Sequence, residues 1–295
     1  MSSLSATSIG RLAVFSAVIL QAIGKVAFGT WLADFPSALF VLISFTLTAT
    51  FFLSLSRKGV GELAWGPVAL LNISTALTFL CFFYALKLIE PSIVGAVEIG
   101  IGPVLAVVIT LILSGVRPTK LRILVCVGVL AGCGVLAVAA QKGTGLAVEG
   151  GNAWYGLSAS AAAGLGAVLI TMASKSLIGR GWKFGAVLAH RFYLILPLSL
   201  ILAFSSDLST IEWSGTLLIL LVFVSLVGVL VPLYLLQMGV GRCDPYTVMV
   251  TMAALPVITF VLEGFSPVYS WSWMTGLGLL IVSAFLLLDV FAKKS

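Results

Sequence analysis

Residues Pro91–Ser114 read PSIVGAVEIGIGPVLAVVITLILS. About 24 residues of this apolarity are long enough to cross a bilayer as a helix. The stretch nevertheless carries a carboxylate, Glu98, followed by Gly100, Gly102 and Pro103. A charge at membrane depth is costly and persists only where it faces a partner or water, so Glu98 marks a functional-site hypothesis. Pro103 removes a helical hydrogen bond that lipid cannot replace, so neighbouring helices or cavity water must do so. The other helices are expected to build a cavity around this one.

The composition agrees. Of 295 residues, 61% are hydrophobic and 9% charged, with a mean hydropathy of +1.22. Soluble domains carry roughly a quarter charged residues. Met1–Gly10 is rich in Ser and Thr, and the apolar stretch after Arg11 is too long for a signal-peptide core, so no signal peptide is expected. The net charge of +6 is scattered through short loops rather than gathered in a patch, which argues against nucleic acid. Cys81, Cys126 and Cys133 fall inside apolar spans and Cys243 beside a basic loop, a spacing that suits neither a metal site nor a disulfide framework. The single histidine, His190, excludes a multi-histidine metal centre. No cofactor is expected.

Ten apolar spans follow one another, at about 11–31, 37–56, 67–88, 91–114, 121–140, 153–174, 184–204, 213–239, 246–266 and 271–291. A polar, Gly-rich connector, Gln141–Asn152, separates the first five from the last five. One face of the membrane receives Arg11, Arg57, Lys58, Arg117, Lys120, Arg122, Lys175, Arg180, Lys183, Arg242, Lys293 and Lys294, which is twelve; the other receives Lys87 and Lys142, which is two. This asymmetry places both termini in the cytoplasm. Trp31, Trp154, Trp213, Trp271 and Trp273 lie near the opposite boundary, as an interfacial belt would.

The expected fold is therefore an all-α polytopic membrane protein of ten transmembrane helices. Five spans per half force the second half (150–295) to enter the membrane upside down relative to the first (1–143). Such inverted repeats place a substrate near the midplane. Pro91 and Pro103 in the fourth span match Pro245 and Pro256 in the ninth. Gly128, Gly132 and Gly134 match Gly276 and Gly278 in the fifth and tenth, where small residues let helices approach closely.

The phrases FFYALKLIEPSIVGAVEIGIGPVLAVVITLIL (Phe82–Leu113) and YLLQMGVGRCDPYTVMVTMAALPVITFVLE (Tyr234–Glu263), with Arg191 early in the seventh span, carry a resemblance. In order and spacing they resemble the drug/metabolite transporter superfamily in its ten-helix form with two EamA repeats. The phrase around Glu98 and Pro103 most resembles the bacterial amino-acid exporters of that superfamily, the threonine/homoserine and YddG-type aromatic exporters. The chain departs from the family in having Ser44 where an Arg is frequent, and Gly115-Val116-Arg117 where Gly-Glu is frequent. The resemblance implies an inner-membrane exporter of amino acids or related small metabolites.

Depth arithmetic links two charges. Lys25 lies fourteen residues past Arg11, about 21 Å along the first helix, or about 9 Å from the far boundary of a core about 30 Å thick. Glu98 lies seven residues inside Pro91, about 10 Å from the same boundary. The two are at one level, either as an ion pair fixing helix register or as a site that separates to take the ammonium and carboxylate of a zwitterion. Glu98 is alternatively the protonatable group of a proton-coupled exporter. Gln21 sits one turn below Lys25. Asn72, Thr75, Thr78, Phe79 and Tyr84 in the third span join it as candidate lining, the aromatics there also reading as packing or lipid-facing. Ser158, Thr171, Arg191, Tyr193, Tyr234, Gln237, Thr247 and Thr251 are the candidates of the second half. Hydroxyls in membrane helices also bond their own backbone, and Arg191 can snorkel. Glu263 reads as interfacial. Pro103 and Pro256 are expected to be paired hinges for alternating access.

The function classes narrow accordingly. Without GxSxG, HExxH or paired membrane aspartates, an enzyme is not indicated. No ATP-binding motif is present, so a gradient must drive transport. A cationic drug exporter using Glu98 alone is the alternative; a sugar or nucleotide carrier ranks lower because Lys25 and Arg191 offer few cations for phosphate.

Overall fold

The computed structural model describes residues 6–56, 59–115, 117–142, 153–206, 208–240, 242–243 and 245–292. Residues 143–152 of the expected connector lie outside the described residues. Among the described residues seven helices run unbroken: α1 (Ala6–Trp31), α2 (Ser37–Ser56), α3 (Trp65–Ala85), α4 (Pro91–Ser114), α5 (Lys120–Gln141), α6 (Ala153–Gly179) and, last in order, α13 (Trp273–Ala292). The other three expected spans are irregular. The seventh divides into α7 (Phe184–Ala189) and α8 (Ile195–Phe204). The eighth runs as α9 (Gly215–Ser225), a π-helical turn at Leu226–Leu230, and α10 (Val231–Val240); the ninth divides into α11 (Pro245–Ala253) and α12 (Leu255–Glu263). Among the described residues eight segments, the eighth span among them, are long and apolar enough to cross a membrane, and the chain is a multi-pass membrane protein.

Each irregularity has a chemical cause. Pro232 cannot donate to the carbonyl of Gly228, and its ring crowds that carbonyl; the helix widens into the π-turn just before it. Pro256 sits in the first turn of α12, where its missing N–H is tolerated, and Ala254 forms the turn that ends α11. Ser283 of α13 donates to the Ala253 carbonyl at 3.5 Å. Pro103 is different: α4 runs through it without a break. At its end Gly115 takes a left-handed φ of 64° and donates its N–H to the Leu111 carbonyl.

The helices pair in a regular way. α3 lies along α6 and α1 along α10; α5 lies along α13; α4 meets both α6 and α12, and α1 meets α12. Exchanging the first five spans for the last five maps the α3–α6 pair onto α1–α10 and α4–α6 onto α1–α12, and returns α5–α13 and α4–α12 to themselves. The contacts are made by small residues. A Cβ on Gly24 of α1 would lie 2.1 Å from the Gly228 Cα, and one on Gly166 of α6 would lie 2.8 Å from the Ser74 carbonyl oxygen of α3. Gly278 of α13 approaches the Gly132 carbonyl of α5 in the same manner. The outward faces carry Ile112, Phe204, Ile219 and Leu280, all largely exposed, a surface suited to lipid.

Two sets of bonds close the ends. At the end holding most loop Lys and Arg (the basic end), Lys183 N donates to Gly59 O at 2.8 Å and Glu62 N to Arg180 O at 3.0 Å. Trp182 Nε1 adds a bond to Glu62 O at 2.9 Å. At the far end Glu263, the last residue of α12, is buried, 4% exposed. Its carboxylate accepts from Ser92 N at 2.6 Å and Ser92 Oγ at 2.7 Å, capping the N-terminus of α4 with the end of α12. Gly24→Ala is expected to lower the melting temperature in detergent, at about 1–3 kcal/mol for the overpacked crossing. Gly134→Ala, where an added Cβ meets nothing within 4 Å, is expected to leave it unchanged or raise it. Parallel melts of the two variants check this.

Candidate functional site

Helix α1 climbs from the basic end and presents Gln21, Gly24 and Lys25 to the middle of the bundle. α4 descends from the far end and presents Glu98. Together with α2, α3, α6, the α7–α8 junction and α9–α11 they enclose a cavity of about 230 Å³. Lys25 Nζ lies 3.6 Å from Glu98 Oε2, with side chains 8% and 18% exposed. The fixed rise of a helix brought them to one level, and Gly95, one turn before Glu98, admits the ammonium: a Cβ there would sit 3.1 Å from Lys25 Nζ. The ammonium also lies 4.6 Å from the Phe82 ring centroid, an attractive cation–π arrangement. Removing either charge would strand the other away from water.

The third charge of the wall is Arg191. It does not snorkel to the basic end; it lies in the gap between α7 and α8 and is 9% exposed. Its Nε donates to Thr75 Oγ1 at 3.2 Å. Its guanidinium lies 5.7 Å from the ring centroids of Phe79 and Phe192. A broken helix inside a membrane releases backbone groups that lipid cannot satisfy. Asn72 of α3 takes them: Nδ2 donates to His190 O at 3.0 Å and Oδ1 accepts from Tyr193 N at 2.8 Å. The side-chain amide thus replaces the missing turn and holds Arg191 against the cavity.

Of the residues singled out from sequence, Gln21, Lys25, Thr78, Phe79, Glu98 and Arg191 come together around this space. Asn72 and Thr75 stand just behind, supporting Arg191. Tyr84 and Ser158 are exposed on the outer surface. Tyr193 is also exposed, its hydroxyl against His190 Nδ1. Tyr234 and Gln237 border a different pocket of about 440 Å³ with Phe52 and Arg242. Thr251 bonds the Thr247 carbonyl of its own helix at 2.8 Å. Thr171 bonds the Ala167 carbonyl at 3.0 Å. Thr171 and Pro103 face a second cavity of about 450 Å³, which reaches Lys175 and Asp289 and shares Met252 with the central one. Pro256 marks the break of the ninth span.

Sequence reasoning missed Phe40, Val224, Val229, Leu233 and Met252, and the third-span aromatics, Phe82 and Phe83 among them, read as packing or lipid-facing. An apolar side chain that lines a cavity reads like one that faces lipid, so no residue-level signal separates them. Gly228 and Pro232 did carry a signal, a Gly and a Pro one turn apart inside an apolar span. Above the cavity Phe28, Phe40 and Phe83 contact one another with ring centroids 4.7, 4.9 and 5.1 Å apart, closing it toward the far end. Among the described residues no three His, Cys, Asp or Glu side chains cluster as metal ligands.

Asn72→Ala leaves at least one of the two buried backbone groups unpaired and is expected to cost about 1–3 kcal/mol of stability. Thr251→Val, which removes only a bond within its own helix, is expected to melt close to wild type. Thermal unfolding in the same detergent checks both.

Residues 8–138, less than half of the chain, match the model of the EamA-like transporter family. The match runs from α1 through most of α5. A solved structure described as "Crystal structure of protein" shares the fold over 97% of each chain, with a TM-score of 0.62 at 18% sequence identity. At that identity the likeness is one of fold alone. Comparison with curated proteins found no match.

Proposed function

We propose that this protein is a secondary transporter that carries amino acids or related small metabolites across a bacterial inner membrane. The observation that carries the reading is the Lys25–Glu98 pair in the wall of a cavity midway through the bundle. Opposite charges a few ångströms apart suit a zwitterion: Glu98 takes the ammonium and a cation takes the carboxylate. The family match over 8–138 supports transport of a small molecule by a membrane protein.

In this reading the ten spans form two inverted halves, 1–143 and 150–295, with both termini cytoplasmic. The helix pairing, which survives exchange of the two halves, supports it. So does the twelve-to-two distribution of loop Lys and Arg. Alternating access would move α4 and α12 relative to α6 and α1. The bonds between Glu263 and Ser92 would part when the far end opens, and those between 59–62 and 180–183 when the basic end opens. Pro103 and Pro256 would serve as hinges, the second at an existing break. Glu98 is the group through which a proton gradient would couple.

A lipophilic cation suits the phenyl walls and Glu98, but Lys25 and Arg191 oppose it. Uptake of a panel of labelled amino acids into proteoliposomes tests the reading. Neutral amino acids are expected to enter wild-type vesicles, and Glu98→Gln is expected to reduce the rate at least tenfold and abolish any response to an imposed pH gradient. Entry of lipophilic cations alone, or full activity of Glu98→Gln, would overturn it. Pro103→Ala with Pro256→Ala is expected to slow turnover with little change in KM, read from initial rates; unchanged turnover would remove the hinges from the mechanism.

A further inference from the structure

Glu98 is matched by Lys25; among the described residues, no carboxylate pairs with Arg191. A guanidinium has five N–H donors. One, on Nε, is given to Thr75. The four on the terminal nitrogens make no hydrogen bond or ion pair among the described residues, although the side chain is buried and borders the cavity. We propose that Arg191 is the carboxylate anchor of this cavity, and that the cargo class is small monocarboxylates with an apolar or aromatic body, an α-ammonium group being accepted but not required. The proposal rests on the transport reading above and narrows it.

The geometry prepares Arg191 for this task. Thr75 fixes one edge of the fork, and the Phe79 and Phe192 rings flank the guanidinium. What remains is the planar edge with two parallel N–H groups, which matches a carboxylate in two-pronged fashion. The Asn72 clamp keeps the backbone carrying Arg191 in register with the cavity, so little ordering is needed on binding. The rest of the wall, including Phe40, Phe82, Phe83, Val229 and Leu233, offers apolar and aromatic contact.

Charge arithmetic decides among cargoes. Lys25 and Arg191 against Glu98 leave the wall at one net positive charge. A monocarboxylate brings the site to neutrality, and a zwitterion leaves it at one positive charge while satisfying both Arg191 and Glu98. An amine or a carboxamide of the same body leaves Arg191 unpaired in a low-dielectric site, at a large cost. A phosphate dianion overshoots neutrality and finds the only other cation already held by Glu98.

The test uses the full chain in proteoliposomes loaded and assayed with two matched series. One is phenylalanine, phenylpyruvate, 3-phenylpropionate, phenylalaninamide and phenethylamine. The other is leucine, 4-methyl-2-oxopentanoate and leucinamide. In wild type the carboxylates, with and without the amine, are expected to enter or compete within about tenfold of one another, and the amides and amine at least a hundredfold less well. Arg191→Gln is expected to abolish that preference, with the loss appearing in KM; Arg191→Lys is expected to restore part of it. Because Arg191→Gln also loses its bond to Thr75, its melting temperature is measured beside that of Thr75→Val, which keeps the guanidinium and is expected to retain the preference for carboxylates. If wild type carries amides or the amine as well as the acids, Arg191 is not reading a carboxylate and the proposal falls while amino-acid transport stands. If amino acids enter and the amine-free acids neither enter nor compete, the ammonium is required and the class is wrong. If neither amino acids nor acids enter, the transport reading and this one fall together.

Discussion

In the core of a bilayer there is no water to take a hydrogen bond that the backbone releases, and the irregular parts of this structure are organised by that constraint. The gap between α7 and α8 exists because Asn72, about 120 residues earlier in the chain, supplies both the donor and the acceptor that a continuous helix would have supplied to itself. The π-turn before Pro232 and the short turn before Pro256 spread the cost of a missing N–H over one widened or broken turn. These interruptions are where the bundle departs from parallel rods, and the cavity is lined from all three. Gly228 and Pro232 border it from the π-turn side, Arg191 from the gap, and Met252 from the end of α11.

The same absence of water governs the charges. Three ionisable side chains face about 230 Å³ of space. Two of them meet at 3.6 Å. A buried pair of this kind contributes little net stability, because desolvation of both ions offsets most of their attraction. Under the proposed function, the pair serves to bind cargo rather than to hold the bundle together. Arg191 is placed by a hydroxyl, by two aromatic rings and by the amide clamp behind it. That is the construction expected of a binding group, because each support fixes orientation while leaving the fork free.

Around this site the two halves hold each other at both ends by bonds that cross between them. Glu263 belongs to the last helices and caps the start of α4; the strip at 59–62 belongs to the first half and bonds the strip at 180–183. The close glycine crossings, Gly24 on Gly228 and Gly166 on α3, leave no room for side chains to buffer motion. In the proposed mechanism, movement of one half against the other would proceed by rocking about these crossings rather than by repacking of the interior.

The membrane class and the positions of the helices were written in composition and hydropathy. The range Pro91–Ser114 was legible to the residue, and α2 likewise, because apolar length and flanking Pro, Lys and Arg are local quantities. The meeting of Lys25 with Glu98 was also legible, since a helix rises by a constant amount per residue and depth can be counted from either end. Rotation about the helix axis could not be counted in this way. Phe83 lines the cavity and Tyr84 faces outward, yet they are adjacent, and only the neighbours that each meets separate them. The seventh span read as one helix from Phe184 to Phe204 because its apolarity is continuous. Its division, and with it the burial of Arg191, depends on an amide delivered from α3, a long-range bond that no window of the sequence contains. Helix existence and depth follow from chain-local energies, whereas helix rotation, breaks and the walls of the cavity are decided by which surfaces meet once the bundle is assembled.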